Sequence, residues 1–384
     1  MHAQLRSARR LFATVAWAMV IVASLLAVPA SATAACQSAG TQPPDVGAGD
    51  NTLTGVDATS ACNAWAVGTY WNGSVARTLV EHWDGSNWTI QSSPNVGAYS
   101  NRLQAVAATS ATNAWAVGSH SDGVTDRTLI LHWNGTSWKV QPSPNAGSDF
   151  NNLFAVTALS ATHAWAVGER GASGHYRALL LRWNGIAWKT QRAPLVGEDQ
   201  ELWGVAATSK TNAWAVGESY GTGTSFHTLV YRWNGTSWKH PHSPGFGTDP
   251  AILWAVSGVT STDAWAVGDV AGRTLVLHWN GTSWTRRRSP NVGTGENRLV
   301  GVDSVASGGA WAVGTFDDTF GTHTLIEHWN GSKWRHQPSP DTYGPSDIGS
   351  YNQLWGVAAV GSSLGWAVGQ YTQLPTQTLA LRCC

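Results

Sequence analysis

The sequence predicts an all-β, seven-bladed propeller of four-stranded antiparallel blades, with the last blade completed by a strand from the N-terminus. Three observations predict it. The pattern Ala114-Trp-Ala-Val-Gly118 followed by Thr128-Leu-Ile-Leu-His-Trp-Asn-Gly-Thr-Ser-Trp138 recurs seven times, its first Trp falling at Trp65, Trp115, Trp165, Trp214, Trp265, Trp311 and Trp366. Short β-like runs repeating about every 50 residues mark blades packed in a ring. A charged fraction of 12% with 24 Trp and 42 Gly fits a β-rich body with a large apolar core and excludes a highly charged disordered chain. Finally, the seventh repeat stops at Cys383-Cys384, one strand short, while Pro44-Asp-Val-Gly47 repeats Pro144-Asn-Ala-Gly147 at the other end of the chain.

Within one repeat, Leu103 to Ala108 is short and apolar, suited to an inner strand packed on both faces. Thr109 to Asn113 reads as a turn. Ala114 to Gly118 forms a second strand whose small alanines admit one neighbouring blade while Trp115 and Val117 fill the other side. A variable loop, Ser119 to Arg127, leads to a β-branched and aliphatic third strand, Thr128 to Trp133. Asn134-Gly135 then signals a two-residue type I′ hairpin, and Trp138 to Gln141 is an outer strand ended by prolines. Arg286-Arg-Arg288 on the fifth outer strand reads as edge protection against sheet-to-sheet pairing.

The ends carry their own signals. Arg6, Arg9 and Arg10 precede an apolar run from Leu11 to Val28 and small residues offering a cleavage site up to Ala34. Residues 1–34 are thus expected to be a secretory signal peptide, with an uncleaved N-terminal membrane anchor as the alternative. Residues 35–384 are the propeller, 35–44 supplying the closing strand. Without residues 1–34 the chain has 20 basic and 23 acidic residues, no basis for a nucleic-acid partner. The register sets Cys36 against Cys383, so a Cys36–Cys383 or Cys36–Cys384 disulfide is expected to lock the ring, leaving Cys62 for the remaining C-terminal cysteine; four cysteines allow three pairings.

Repetition separates scaffold from site. A residue present in every blade serves packing, which assigns a structural role to the series His82, His132, Arg182, Arg232, His278, His328 and Arg382. Seven side chains spread around a rim do not hold a metal. The strand-three residues Arg77, Arg127, Arg177, His227, Arg273 and His323 are expected to bond loop carbonyls or acids. The pattern breaks one residue after the leucine of strand one, at Thr54, Gln104, Phe154, Trp203, Trp254, Val300 and Trp355. Being nearest the axis, these side chains either line the upper mouth of the central channel or pack between blades. Variable segments on that face add Tyr70, Trp71, His175, Tyr176, Tyr220 and Phe316, and binding residues collect on such segments. Asp317-Asp318 and Glu198 to Glu201 are carboxylate pairs of the kind glycoside hydrolysis uses, but adjacent acids in a loop read first as solvated. No nucleophile, phosphate-loop or cofactor motif is present, so no catalytic residue, metal or cofactor is expected.

The elements Leu364-Gly-Trp-Ala-Val-Gly369 and Trp133-Asn-Gly-Thr-Ser-Trp138 resemble the repeats of kelch and Asp-box (BNR) propellers, including the photosystem II assembly-factor type, over residues 51–384. The resemblance implies the fold; propellers of this kind serve as sialidases, oxidases, lectins and assembly factors alike. In most blades Trp or its neighbour replaces the Asp-box turn aspartate. Glu81-His-Trp-Asp-Gly85 and Glu327-His-Trp-Asn-Gly331 are similar to hairpins of fucose-binding propeller lectins, but the other repeats carry Leu or Tyr at the Glu position, and no sugar site is carried over. The expectation is a secreted or cell-surface, monomeric, non-catalytic binding propeller taking a carbohydrate or protein partner on its variable face. The alternative is an extracellular polysaccharide hydrolase or lyase on the same scaffold.

Overall fold

The computed structural model describes residues 37–38, 42–221, 225–339, 350–361, 363–372 and 375–382. Residues 1–34, expected to be a signal peptide, and Cys36, Cys383 and Cys384 lie outside the described residues, so the expected cross-link does too; Cys62 is an exposed free thiol.

Each repeat folds into an antiparallel meander. In blade two the strands are Asn101–Ser110, Asn113–Ser121, Asp126–Trp133 and Trp138–Val140. Strands two and three reach further than hydrophobicity alone suggested, because Ser119, His120 and Ser121 continue the ladder against Thr128, Arg127 and Asp126. Five blades are separate four-stranded sheets; the sixth and seventh share an eight-stranded sheet through a two-residue parallel bridge, Gly321 to Ser350 and Thr322 to Tyr351.

The Asn-Gly hairpin is not the expected two-residue turn. The last cross-strand pair is Trp133 with Trp138, leaving a four-residue loop. Asn134 Oδ1 accepts the backbone N–H groups of Thr136 and Ser137, both at 3.0 Å, and only Gly135 takes a positive φ, 94°. The asparagine side chain does by hydrogen bonding what a type I′ turn does by backbone geometry.

Packing between blades repeats as regularly as the sequence. Trp115 of blade two inserts between Trp183 and Trp188 of blade three, with ring centroids 5.0 and 5.2 Å away. Trp65, Trp165 and Trp265 do the same with their next blades. Ala114 and Ala116 meanwhile pack toward blade one, as expected. Trp115 is fully buried, and replacing it by Ala should cost about 3–5 kcal/mol, read as a fall in the denaturant midpoint at unchanged m-value.

The ring closes by the same contacts. Trp366 of blade seven sits 4.8 Å from both Trp83 and Trp88 of blade one. The N-terminal strand Gln37–Ser38 pairs with the last strand, Gln37 opposite Arg382 and Ser38 opposite Leu381, two residues out of step with the register of the other outer strands. Downstream the alignment with the repeat holds: Thr378 N–H donates to Asp45 Oδ1 at 3.0 Å, as Thr128 N–H does to Asn145 Oδ1 at 2.9 Å. Residues 35–384 make one compact unit.

Around the axis, inner strands meet almost backbone to backbone. A methyl group on Gly55 would lie 2.8 Å from Ala105 Cα, on Gly204 2.9 Å from Ala255 Cα, and on Gly356 3.1 Å from Gly55 Cα. In the other blades this position holds Ala105, Ala155, Ala255 and Gly301.

Candidate binding site at the channel mouth

All seven inner strands carry a β-bulge at one place. The ladder between strands one and two skips from Leu53 to Gly55, Leu103 to Ala105, Leu153 to Ala155, Leu202 to Gly204, Leu253 to Ala255, Leu299 to Gly301 and Leu354 to Gly356. The opposing residue is the glycine of the Ala-Trp-Ala-Val-Gly element. A Cβ on Gly217 would stand 1.9 Å from the Glu201 carbonyl oxygen, so the bulge is possible only against glycine. Bulges re-aim side chains, and here the residue left out is the one that varies: Thr54, Gln104, Phe154, Trp203, Trp254, Val300 and Trp355. All seven, with Arg298, line a single cavity of about 200 Å³, and those on blades three to five also pack against one another between blades.

The aromatic residues form an arc. Phe154 stacks on Trp203 with centroids 4.3 Å apart and planes 19° apart, and Trp203 meets Trp254 at 5.0 Å. These rings are half-buried, unlike the packing tryptophans. Two indoles are fixed by acids on strand two: Trp203 Nε1 donates to Glu218 Oε1 at 3.3 Å and Trp254 Nε1 to Asp269 Oδ1 at 2.8 Å. Arg298 Nε donates to the same Asp269 oxygen at 3.1 Å, and its guanidinium lies 5.4 Å from the Trp254 ring centroid. Arg298 is thereby held as a fixed positive charge on the rim.

A second cavity, about 310 Å³, adjoins through the Trp203–Glu218 bond. It is lined by Tyr176, Asp199, Gln200, Glu201, Glu218, Tyr220 and Phe226. The acids of 198–201 are not all in a solvated loop: strand one of blade four starts at Asp199, Gln200 points inward at 2% exposure, and Glu201 lies directly opposite Glu218. Burial, with Glu169 and Glu218 close by, pushes Glu201 up to about 8, and burial also raises Glu169 and Glu218. Glu169 accepts from Asn152 Nδ2 at 2.9 Å. Asp199 is used structurally, receiving Tyr176 N–H at 2.9 Å and standing 3.2 Å from His175 Nδ1.

The remaining candidates do not join these cavities. Tyr70 packs against the core between blades one and seven, Trp71 is exposed on blade one, and Phe316 stacks on His323 at 5.0 Å. Asp318 accepts from Phe320 N–H and bonds His323, which hold it below the usual carboxylate range, a turn cap rather than an acid-base pair. The His/Arg series is structural, as expected. His132 lies 4.1 Å from Trp115, Arg182 5.2 Å from Trp165, and His132 Nε2 is 2.8 Å from Asn113 Oδ1. Arg77 bonds the loop carbonyls of Ala98 and Tyr99. Glu81 and Glu327, the positions similar to lectin hairpins, are fully buried.

Sequence reasoning missed Glu169, Glu218, Asp269 and Arg298. The signal was available: the residue after the Ala-Trp-Ala-Val-Gly element runs Thr69, Ser119, Glu169, Glu218, Asp269, Thr315, Gln370, acidic only in the three blades bearing Phe154, Trp203 and Trp254.

No family model matches the chain, and no curated protein matches it. Solved structures do. The structure titled "YCF48 bound to D1 peptide" aligns with a TM-score of 0.54 at 13% identity over 93% of this chain and all of that one. YCF48 from Cyanidioschyzon merolae gives 0.52 at 15% over 91% and 98%. A polysaccharide lyase of the PL25 ulvan lyase type gives 0.53 at 9% over 91% and 94%. The fold is a β-propeller. At these identities the similarity establishes architecture and leaves ligand and chemistry to the site itself.

Proposed function

We propose that this protein is a non-catalytic binding propeller acting outside the cytoplasm, which takes a carbohydrate on the variable face at the channel mouth. One observation carries the reading: seven bulges turn the most variable side chains of the repeat into one cavity, and four of the seven are aromatic, with two indoles oriented by Glu218 and Asp269. Flat rings held at fixed angles present apolar faces to a sugar, and Arg298 adds a charged donor at the rim. The arginines, apolar run and small residues of segment 1–34 support export, and the Trp-Asn-Gly hairpins support a place among kelch-like or Asp-box-like propellers. The solved relatives include one titled as bound to a peptide and one as a lyase bound to a sugar, compatible with a ligand-bearing mouth.

The test is a glycan and polysaccharide array with the mature chain. Trp203→Ala and Trp254→Ala should each weaken the bound glycan by about 2 kcal/mol, some 30-fold, whereas Ile186→Ala on the outer hairpin should leave affinity unchanged. Equal binding by all four proteins would remove the mouth from consideration. A second reading, polysaccharide cleavage, is favoured by Glu201, which holds its proton up to about 8 beside the mouth and so suits a general acid. New reducing ends or unsaturated ends accumulating with time would establish it.

A further inference from the structure

The pocket beside the mouth has a composition that the mouth does not share. Three carboxyl groups, Glu169, Glu201 and Glu218, gather on blades three and four, close enough that Glu169 and Glu218 both help to raise Glu201. Among the described residues none of the three has an ion-pair partner: the nearby cations are committed elsewhere, Arg298 to Asp269 and His175 and Arg177 to Asp199. Glu218 is 7% exposed. Its Oε1 accepts from Trp203, while its Oε2 is buried with no hydrogen-bond partner. A buried carboxylate oxygen left open costs free energy that a bound donor would return. It lines a cavity of about 310 Å³ whose other walls are the aromatic rings of Tyr176, Tyr220 and Phe226.

Carboxylates facing aromatic rings are the recognition chemistry of an organic cation: the acids accept its N–H groups, and the ring faces attract its charge and cover its apolar surface. A bare metal ion fits poorly, since among the described residues no three acids, histidines or cysteines converge closely enough to ligate one. The geometry points to a subsite for a protonated amine carried on a sugar ring, an amino sugar within a glycan, its ammonium between Glu201 and Glu218 and its apolar face against Tyr176, Tyr220 and Phe226. The assignment rests on the carbohydrate reading above and adds the chemical class of the ligand. The pocket borders the mouth at the Trp203–Glu218 bond, within reach of one chain of sugars.

Groups facing the ammonium are Glu169, Glu201 and Glu218, with Asp199, Asp269, His175, Arg177 and Arg298 behind them. Glu201 holds its proton to about 8 when the pocket is empty. A seated cation lowers that value, so binding of an amine already protonated in solution releases a proton from Glu201 to the buffer.

The experiment is titration calorimetry of the mature chain with a β-1,4-linked glucosamine hexamer, the N-acetylglucosamine hexamer, a neutral glucan hexamer and a lysine-containing hexapeptide, in two buffers of different ionisation heat. At a pH where its amines are protonated in solution, the glucosamine hexamer should bind at least ten-fold more tightly than either uncharged hexamer and release close to one proton. Glu218→Gln, isosteric and checked for an unchanged melting temperature, should abolish that preference while leaving weak binding of the uncharged glycans. Equal affinity for all three glycans, undisturbed by Glu218→Gln, would overturn the amino-sugar subsite and leave the carbohydrate reading standing. Tighter binding of the lysine peptide than of any glycan would overturn both. Absence of binding by the glucosamine hexamer, with neutral glycans still bound, would overturn the subsite alone.

Discussion

Replacing Glu81 by Leu should raise the unfolding free energy at pH 8 by about 3 kcal/mol or more, with a smaller gain at pH 5. Glu81 is fully buried on strand three of blade one, where four blades have Leu131, Leu181, Leu277 and Leu381. Neither carboxyl oxygen has a hydrogen-bond partner. Burial, reinforced by Asp45, pushes it up to about 9. Glu327 at the same position in blade six shows what is missing, for both its oxygens take the hydroxyl of Ser289 on the preceding blade, at 3.0 and 2.8 Å. The preceding blade of Glu81 is the seventh, whose closing segment has Pro43 at the serine position and no hydroxyl to give. The sign follows from the raised value. Between about 4.5 and 9 the folded chain keeps the proton and the unfolded chain has lost it, so stability falls as pH rises through that window, by at most about 1.4 kcal/mol per pH unit. Glu327 and Glu201 at about 8 and Asp57 at about 7 add slopes of the same sign. Melting temperatures at pH 5, 7 and 9 measure this: Glu81→Leu should gain most at pH 9, and a gain independent of pH would refute ionisation as its source.

Deleting the chain up to and including Val46 should cost at least about 4 kcal/mol and shift the size-exclusion profile toward larger species. The deletion removes the acceptors of Thr378 N–H and Oγ1 at Asp45 (both 3.0 Å), that of Ala380 N–H at Gln42, and the pairing of Gln37 and Ser38 with the last strand. Several backbone donors of Gln377–Arg382 are then left on an open sheet edge, at about 1 kcal/mol for each lost bond and with a template for pairing between molecules. The expected bond between Cys36 and Cys383 or Cys384 would add on the order of 4–5 kcal/mol in the chain-entropy model. Peptide mapping without reductant reads the pairing directly, and a truncated chain that melts like the full one would show that the tryptophan contacts close the ring unaided.

The architecture was legible because the packing unit recurs along the chain: Trp115 needs a slot between two tryptophans of the next blade, and six of the seven repeats supply both partners. The variable ring at Thr54 through Trp355 was legible for the opposite reason, as the one inner-strand position free of a packing requirement. Two things escaped. Asn134-Gly135 matches a tight turn by composition, yet the Asn134 side chain competes for the backbone donors and opens the loop to four residues. Glu198 to Glu201 reads as a solvated acidic loop, but the strand begins inside it, and alternation along that strand takes Glu201 toward Glu218 and Glu169. Carboxylates on separate strands and separate blades become a cluster only in three dimensions, and nothing local in the chain announces it.

Gly55, Gly204, Gly301 and Gly356, with Ala105, Ala155 and Ala255, act as the shims of a barrel: each stands between two inner strands at the axis and none carries more than a methyl group. Seven shims add up to a circumference, so the aperture of the mouth depends on volume at this one repeat position. A methyl group more at Gly204, next to Trp203, enlarges the bore and spreads the aromatic arc without altering any residue that meets the ligand. Aperture and ligand chemistry are therefore controlled by adjacent residues in the chain that answer to different constraints, one to the neighbouring backbone and one to what enters the channel.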